Sequence, residues 1–206
     1  MSDRPLLQVQ HLSHSFPEKR GLLQQAVSSS PVLQNINLVI QPQEIVGLVG
    51  ESGCGKSTLA RLLLRIYEPT SGQIQFAGEG IHKYKAREYY GRVQMIFQDP
   101  FSSLNPKLKI GFLLREMWNL HQVEPATTTK LNKLLDEVGL PANALDKYAH
   151  EFSGGQRQRI AIARALAADP EMLVADEPVS ALDVSIQAQI LNLLQQLRKE
   201  RNLTLL

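Results

Sequence analysis

Apolar residues stand at every second position near the start of the chain, at Leu7 and Val9 and again at Ile36, Leu38 and Ile40. A period of two is that of a half-buried strand, so the chain opens as antiparallel β. Gln41-Pro42-Gln43-Glu44 reads as a turn, and Ile45-Val46-Gly47-Leu48-Val49 then runs apolar without alternation. That second pattern predicts a strand buried on both faces, as in a parallel sheet covered by helices. Leu59, Leu62, Leu63 and Ile66 mark one face of a helix, which Pro69-Thr70-Ser71-Gly72 ends as a turn. Ile74 and Phe76 resume the strand period, and Val93-Gln94-Met95-Ile96-Phe97 gives another short strand, ending at Gln98. From Ile110 the period becomes helical, through Leu113, Leu114 and Met117 and then Leu131, Leu134, Leu135 and Val138, with Gly139 as the C-terminal cap. Met172 to Ala175 returns to strand, Ile186, Ile190, Leu194 and Leu197 form an amphipathic helix, and Leu203-Thr204-Leu205-Leu206 opens a further buried strand. Residues 100–165 therefore read as a mostly helical subdomain inserted into an α/β core made of residues 1–99 and 166–206. No internal repeat is visible, and Ser28-Ser29-Ser30-Pro31 reads as a short loop within the domain.

Composition narrows the partners. The formal net charge of +2 in 206 residues, with no run of Lys or Arg, gives no footprint for nucleic acid. Cys54 is the single cysteine, so no internal disulfide can form, and a reducing compartment fits. The start Met-Ser-Asp-Arg-Pro lacks the layout of a secretory signal. No apolar run reaches the roughly 20 residues that span a bilayer, so a membrane role has to come through a partner.

Three motifs carry chemistry. Gly50-Glu51-Ser52-Gly53-Cys54-Gly55-Lys56-Ser57 fits G-x-x-x-x-G-K-[ST] at every fixed position, after an apolar run and before a helix. Its glycines allow backbone N–H groups to wrap phosphates, Lys56 reaches the β/γ oxygens, and the Ser57 hydroxyl suits Mg²⁺. The phosphate-contacting set is thus Gly50, Ser52, Gly53, Cys54, Gly55, Lys56, Ser57 and Thr58, with Cys54 serving as a small residue in a tight loop. Met172-Leu173-Val174-Ala175-Asp176-Glu177 is an apolar strand that ends in two carboxylates. Asp176 suits the metal through water, and Glu177 suits polarising an attacking water as general base. Ser153-Gly154-Gly155-Gln156 offers a second anion site, because two glycines bare a run of N–H groups and Ser153 caps the helix that follows.

Together these motifs resemble the ATP-binding subunit of an ABC transporter. Phe152-Ser153-Gly154-Gly155-Gln156-Arg157 is similar to that family's signature, Ser180-Ala181-Leu182-Asp183 to its D-loop, and Gln98 falls at the Q-loop glutamine. The resemblance implies an α/β fold with a P-loop NTPase core, an N-terminal antiparallel β subdomain and an inserted α-helical subdomain. It implies ATP and Mg²⁺ as cofactors, with Ser57, Gln98 and Asp176 at the metal. Glu177, Gln98 and Lys56 would serve catalysis, and Ser153, Gly154, Gly155, Gln156 and Asp183 would contact nucleotide. Phe16 stands where the family's adenine-stacking aromatic lies, although a core phenylalanine would fit the pattern equally well.

Finer stretches are similar to the ATPases of peptide and nickel importers. They are residues 47–56, Phe97 to Pro106, Phe16-Pro17 with Gly21-Leu22-Leu23, and Glu177 to Ser185. Tyr148-Ala149-His150-Glu151-Phe152 stands where that subfamily has a proline in second place, and His150 reads as structural. The resemblance implies two ATPase chains dimerised head to tail as a heterodimer, with the Ser153–Gln156 backbone of one closing ATP on the P-loop of the other. It also implies integral membrane permease subunits docking near residues 98–105, an extracytoplasmic solute-binding protein acting indirectly, and a peripheral place on the cytoplasmic face of the cell membrane. The cargo would be peptides, nickel or a related small solute. The family's switch histidine has no counterpart, because His11, His14, His82, His121 and His150 all precede Asp176. The sequence therefore reads as truncated at its C-terminal end, and this form is expected to hydrolyse ATP poorly. A nucleotide-binding form deficient in hydrolysis and a soluble ATPase without a transport role are the competing readings.

Overall fold

A computed structural model describes residues 4–16, 31–99 and 103–206 of the chain. Pro17, Gly21-Leu22-Leu23, Ser28 to Ser30 and residues 100–102 of the motifs above lie outside the described residues. The chain gathers into two compact units, one of Met1–Pro42 with Val46–Tyr84 and one of Gln43–Ile45 with Lys85–Leu206.

The first unit is built on an antiparallel sheet. β1 (Leu7–His14) lies between β2 (Leu33–Ile40) and β3 (Ser71–Phe76), with the short β4 (Glu79–Gly80) at one edge. The period-two residues meet across it: Leu7 stands opposite Ile40 and Phe76, and Val9 opposite Leu38 and Ile74. Leu7, Val9, Ile40, Ile74 and Phe76 are all buried, so the alternation sets one apolar face for the sheet. Gly72 has a positive φ, and a Cβ there would lie 2.4 Å from the carbonyl oxygen of His11, so the start of β3 needs glycine. The helix α1 (Lys56–Leu63) buries Leu59, Ala60, Leu62 and Leu63. It is shorter than its pattern predicts. Arg65 takes a φ of 56°, which breaks the helical path, and Ile66 ends 52% exposed.

The second unit carries a parallel sheet in the order β5 (Val93–Ile96), β6 (Met172–Ala175), β7 (Thr204–Leu205). α2 (Ala86–Arg92) precedes β5. The crossover from β5 to β6 holds α3 (Ile110–His121), α4 (Thr128–Glu137) and α5 (Gly154–Leu166), and α6 (Val184–Arg201) joins β6 to β7. The helical residues foreseen from periodicity are those that bury. Ile110, Leu113 and Leu114 of α3 and Leu131, Leu134 and Leu135 of α4 share one core with Ile160 and Ile162 of α5 and with Ile190, Leu194 and Leu197 of α6. Thr127 caps α4 by accepting from the Lys130 N–H at 3.2 Å, and Gly139 follows its end with a φ of 69°.

The expected strand over residues 45–49 does not form. Ile45 makes a single parallel bridge to Leu205, and Val49 is 99% exposed. A continuous apolar run specifies burial without supplying a neighbour. Ile45 has one bridging residue, Leu205, and residues 46–49 belong to no strand. Phe97 likewise falls outside β5 and is 38% exposed.

Candidate functional site

In the first unit, residues 50–55 form a tight loop leading into α1, whose first residues are Lys56 and Ser57. Gly53 and Gly55 take φ values of 83° and 100°, which L side chains rarely adopt, and the amide of Cys54 donates to the carbonyl of Glu51 at 3.3 Å. A Cβ on Gly55 would also lie 2.6 Å from Leu33 Cδ2 and 3.1 Å from the carbonyl oxygen of Val32, so both conformation and space require glycine there. Gly55 is the N-cap of α1 and contributes no capping side chain, which leaves the first-turn amides to another acceptor. Lys56 folds back over the loop. Its Nζ donates to the carbonyl oxygens of Gly50 at 2.8 Å and Glu51 at 2.9 Å. Cys54 is exposed, with Sγ 4.0 Å from that Nζ. Phe16 is 41% exposed and packs edge-on against His14 and Tyr67, at 4.8 and 5.3 Å between ring centres. It presents an aromatic surface outside the core.

In the second unit, Asp176 and Glu177 follow β6 directly. The Asp176 amide continues the parallel ladder by donating to Ile96 at 3.0 Å, so the position of the carboxylates is set by strand pairing. Glu177 is a non-glycine residue at a φ of 47°, a backbone conformation stored at functional sites. Gln98, two residues past the end of β5, reaches this corner. Its Nε2 donates to Glu177 Oε2 at 3.0 Å and to Ser180 Oγ at 3.2 Å. Two residues singled out in separate stretches of sequence thus meet through one hydrogen bond. Sequence reasoning placed Ser180 in a motif without giving it a task. The signal available was a hydroxyl three residues after Glu177 with Pro178 between them, the spacing of a side chain that closes a turn.

Ser153 to Gln156 forms a capping box. The Gln156 amide donates to Ser153 Oγ at 3.4 Å, and the Ser153 amide donates to Gln156 Oε1 at 3.0 Å. The amides of Gly154 and Gly155 fall in the first turn of α5, where no carbonyl exists four residues back within the helix. A Cβ on Gly155 would lie 2.5 Å from Ile186 Cγ2, so this glycine is also demanded by packing against α6. Arg157 braces the preceding turn, with Nε donating to the carbonyl of Ala149 at 2.8 Å and Nη2 to that of His150 at 3.2 Å. The His150 ring stacks on Tyr148, a structural position. Asp183 is the N-cap residue of α6, and its carbonyl accepts from the amides of Ile186 and Gln187 at 2.9 Å each. Among the described residues, no group of three or more His, Cys, Asp or Glu side chains could hold a metal ion.

Residues 33–180, from the start of β2 through Ser180, match the ABC transporter family. The chain belongs to that family. The α/β architecture agrees with its ATPase domains in solved structures. The chain aligns with cbiO1 of Clostridium perfringens, part of the ABC transporter complex cbiONQ, at a TM-score of 0.78 and 25% identity over 98% of this chain and 76% of that one. It aligns equally well, at 0.78 and 25% over 97% of this chain and 85% of the other, with the ATP-binding cassette MJ0796, solved as a dimer in a post-hydrolysis state with ADP and Pi. Among curated ABC relatives, the oligopeptide transport ATP-binding protein OppF of Bacillus subtilis is 46% identical over 98% of this chain and 66% of its own. The corresponding protein AppF of the same organism is 45% identical over 98% of this chain and 63% of its own. A putative peptide import ATP-binding protein of Brucella ovis is 47% identical over 100% of this chain and 64% of its own. The chain thus spans just under two thirds of the length of these relatives.

Proposed function

We propose that this chain is the ATP-binding and ATP-hydrolysing subunit of an ABC importer for peptides. The observation that carries the reading is its similarity, over 98% of its length, to an oligopeptide transport ATP-binding protein at 46% identity. The residue chemistry supports it. The segment over residues 50–57 ends in a helix N-terminus without a capping side chain and carries the Lys56 ammonium, the kinds of group that suit a polyphosphate, and Ser52, Gly53, Cys54 and Thr58 would contact it too.

Mg²⁺ takes hard oxygen ligands, and the Ser57 hydroxyl of the first unit and the Gln98 amide oxygen and Asp176 carboxylate of the second are each of that chemistry. Bound there, the metal would neutralise charge on the phosphates. Glu177 would take the proton of an attacking water, held in place by the Gln98 amide. Asp183 and the amides of Gly154 and Gly155 would serve a nucleotide across a dimer, while Ser153 and Gln156 hold those amides open through their capping box. Phe16 would stack on the base. Dimerisation with a second ATP-binding subunit, in a heterodimer, would couple closure around ATP to permease subunits in the membrane, with a solute-binding protein delivering the cargo. No helix of the described residues is long and apolar enough to cross a membrane. A peripheral place on its cytoplasmic face follows from the permease partners.

Replacing Lys56 tests the site. Lys56→Ala is expected to abolish ATP binding in a direct titration of the purified chain, because no other side chain of the loop carries a positive charge. Micromolar binding retained by the variant would remove the loop from the nucleotide site.

A further inference from the structure

Ser180 holds the corner between Gln98 and Glu177 together. The Glu177 carbonyl accepts from both the Ser180 amide, at 3.2 Å, and the Ser180 hydroxyl, at 3.1 Å, closing a turn with Pro178 at its second position. A carbonyl oxygen can only accept, so the single hydroxyl proton of Ser180 is committed to it. What Oγ has left for Gln98 is lone pairs. Glu177 Oε2, the other neighbour of the same amide, is also an acceptor. Two acceptors at 3.0 and 3.2 Å admit only the NH₂ end of the Gln98 side chain, so Oε1 is turned to the opposite side. With the Glu177 carboxylate as sole partner, the amide would keep one hydrogen bond and be free to turn about it.

We propose that Ser180 is a positioning residue that fixes the orientation of the Gln98 amide, keeping Nε2 on Glu177 and presenting Oε1 as an oxygen ligand for the cation that accompanies a bound nucleotide. The inference rests on the nucleotide reading above and adds to it the residue that, together with the Glu177 carboxylate, fixes how the Gln98 amide is turned. It also ties the segment that begins at Ser180 to the residue that follows β5, through one hydroxyl.

The test uses the 206-residue chain and two readouts. The first is the affinity of the ATP complex for Mn²⁺, beside the affinity for ATP in a chelator. Loss of one side-chain hydrogen bond corresponds to about 2–10-fold in an equilibrium constant. Ser180→Ala is therefore expected to weaken Mn²⁺ by about that factor while ATP affinity in the chelator stays within about 2-fold, and Ser180→Thr, which keeps the hydroxyl, is expected to restore the parent value. The second readout needs no ligand. The Gln98 side-chain NH₂ chemical shifts should move in Ser180→Ala and return to the parent values in Ser180→Thr, because Nε2 donates to the Ser180 hydroxyl. Parent-like shifts in Ser180→Ala would overturn the proposal, and Ser180→Gly takes its place should Ser180→Ala fail to fold. Equal Mn²⁺ affinity in parent and Ser180→Ala, with ATP still bound, would overturn the proposal and leave the nucleotide site standing. A deficit that Ser180→Thr fails to restore would overturn it too, since the hydroxyl would not be the cause. If the parent bound no ATP with or without metal, the nucleotide reading would fall and this proposal with it, an outcome distinguishable because all three proteins would then be silent.

Discussion

At the scale of single residues, the chemistry sits where charge and backbone conformation have been constrained together. Lys56 is held by two carbonyls of its own loop, and Glu177 occupies a left-handed backbone position closed by Ser180. Both arrangements fix a group before any ligand arrives, which is the condition for electrostatic preorganisation. His121 is a different case, with consequences for stability. It ends α3, its Nδ1 has no partner among the described residues, and burial holds its pKa below the ordinary 6.5. The folded state therefore resists protonation while the unfolded state accepts it near pH 6.5. More protons are bound by the unfolded chain in that window, so stability rises with pH. The contribution of His121 is fully present above the unfolded pKa, is lost as pH falls from there toward the lower folded value, and changes no further below it. Urea midpoints measured from pH 7.5 down to pH 5 should fall in the parent, and the fall should be shallower in His121→Asn. An identical slope would clear His121 of the effect.

At the scale of elements, packing and propensity can be set against each other at the start of α5. Alanine is favoured over glycine in a helix by about 1 kcal/mol, so propensity alone predicts that Gly155→Ala stabilises. A Cβ at Gly155 would sit 2.5 Å from Ile186 Cγ2, and Ile186 is β-branched with little rotamer freedom. Overpacking of this kind is worth about 1–3 kcal/mol, so the clash outweighs the propensity. We expect Gly155→Ala to lower stability by a net 0–2 kcal/mol or so and Gly155→Ala with Ile186→Ala to recover more than the sum of the single effects allows. Chemical denaturation of the four proteins of the cycle measures this, and additive values would mean that α5 shifts to make room. The same contact explains why the two glycines were legible as a motif but not in full. Their missing side chains read from sequence as exposed amides, and the packing demand from α6 appears only once the helix about 30 residues later is in place.

At the scale of the molecule, the chain forms two compact units, with the phosphate-loop residues in one and Gln98, Asp176, Glu177 and the signature in the other. Binding of a ligand to the folded state alone stabilises it by mass action, by about 2.7 kcal/mol at 100 times the Kd. Saturating Mg-ATP at that ratio should therefore raise the melting temperature by roughly 5–10 °C, given about 2–4 °C per kcal/mol for a chain of this size. Calorimetry of the purified protein checks the value, and an unchanged melting curve would mean that the nucleotide site is not assembled in solution.

The sequence alone determined those features whose cause is local. Period-two and helical spacing gave β1, β3 and the buried faces of α1, α3, α4 and α6, because burial selects apolar residues at the repeat of the element itself. The motif at residues 50–57, the paired carboxylates after β6 and the cap at Ser153 were equally legible, because each depends on residue types within a few positions of one another. Tertiary structure decided what depends on a distant neighbour. Residues 45–49 carry a strand's apolarity yet pair only at Ile45, since a parallel strand exists only where another backbone lies beside it. The hydrogen bond from Gln98 to Glu177, and the hydroxyl of Ser180 that orients it, join residues about 80 positions apart. No local pattern encodes such a contact; only the parallel pairing of β5 with β6 brings it into being.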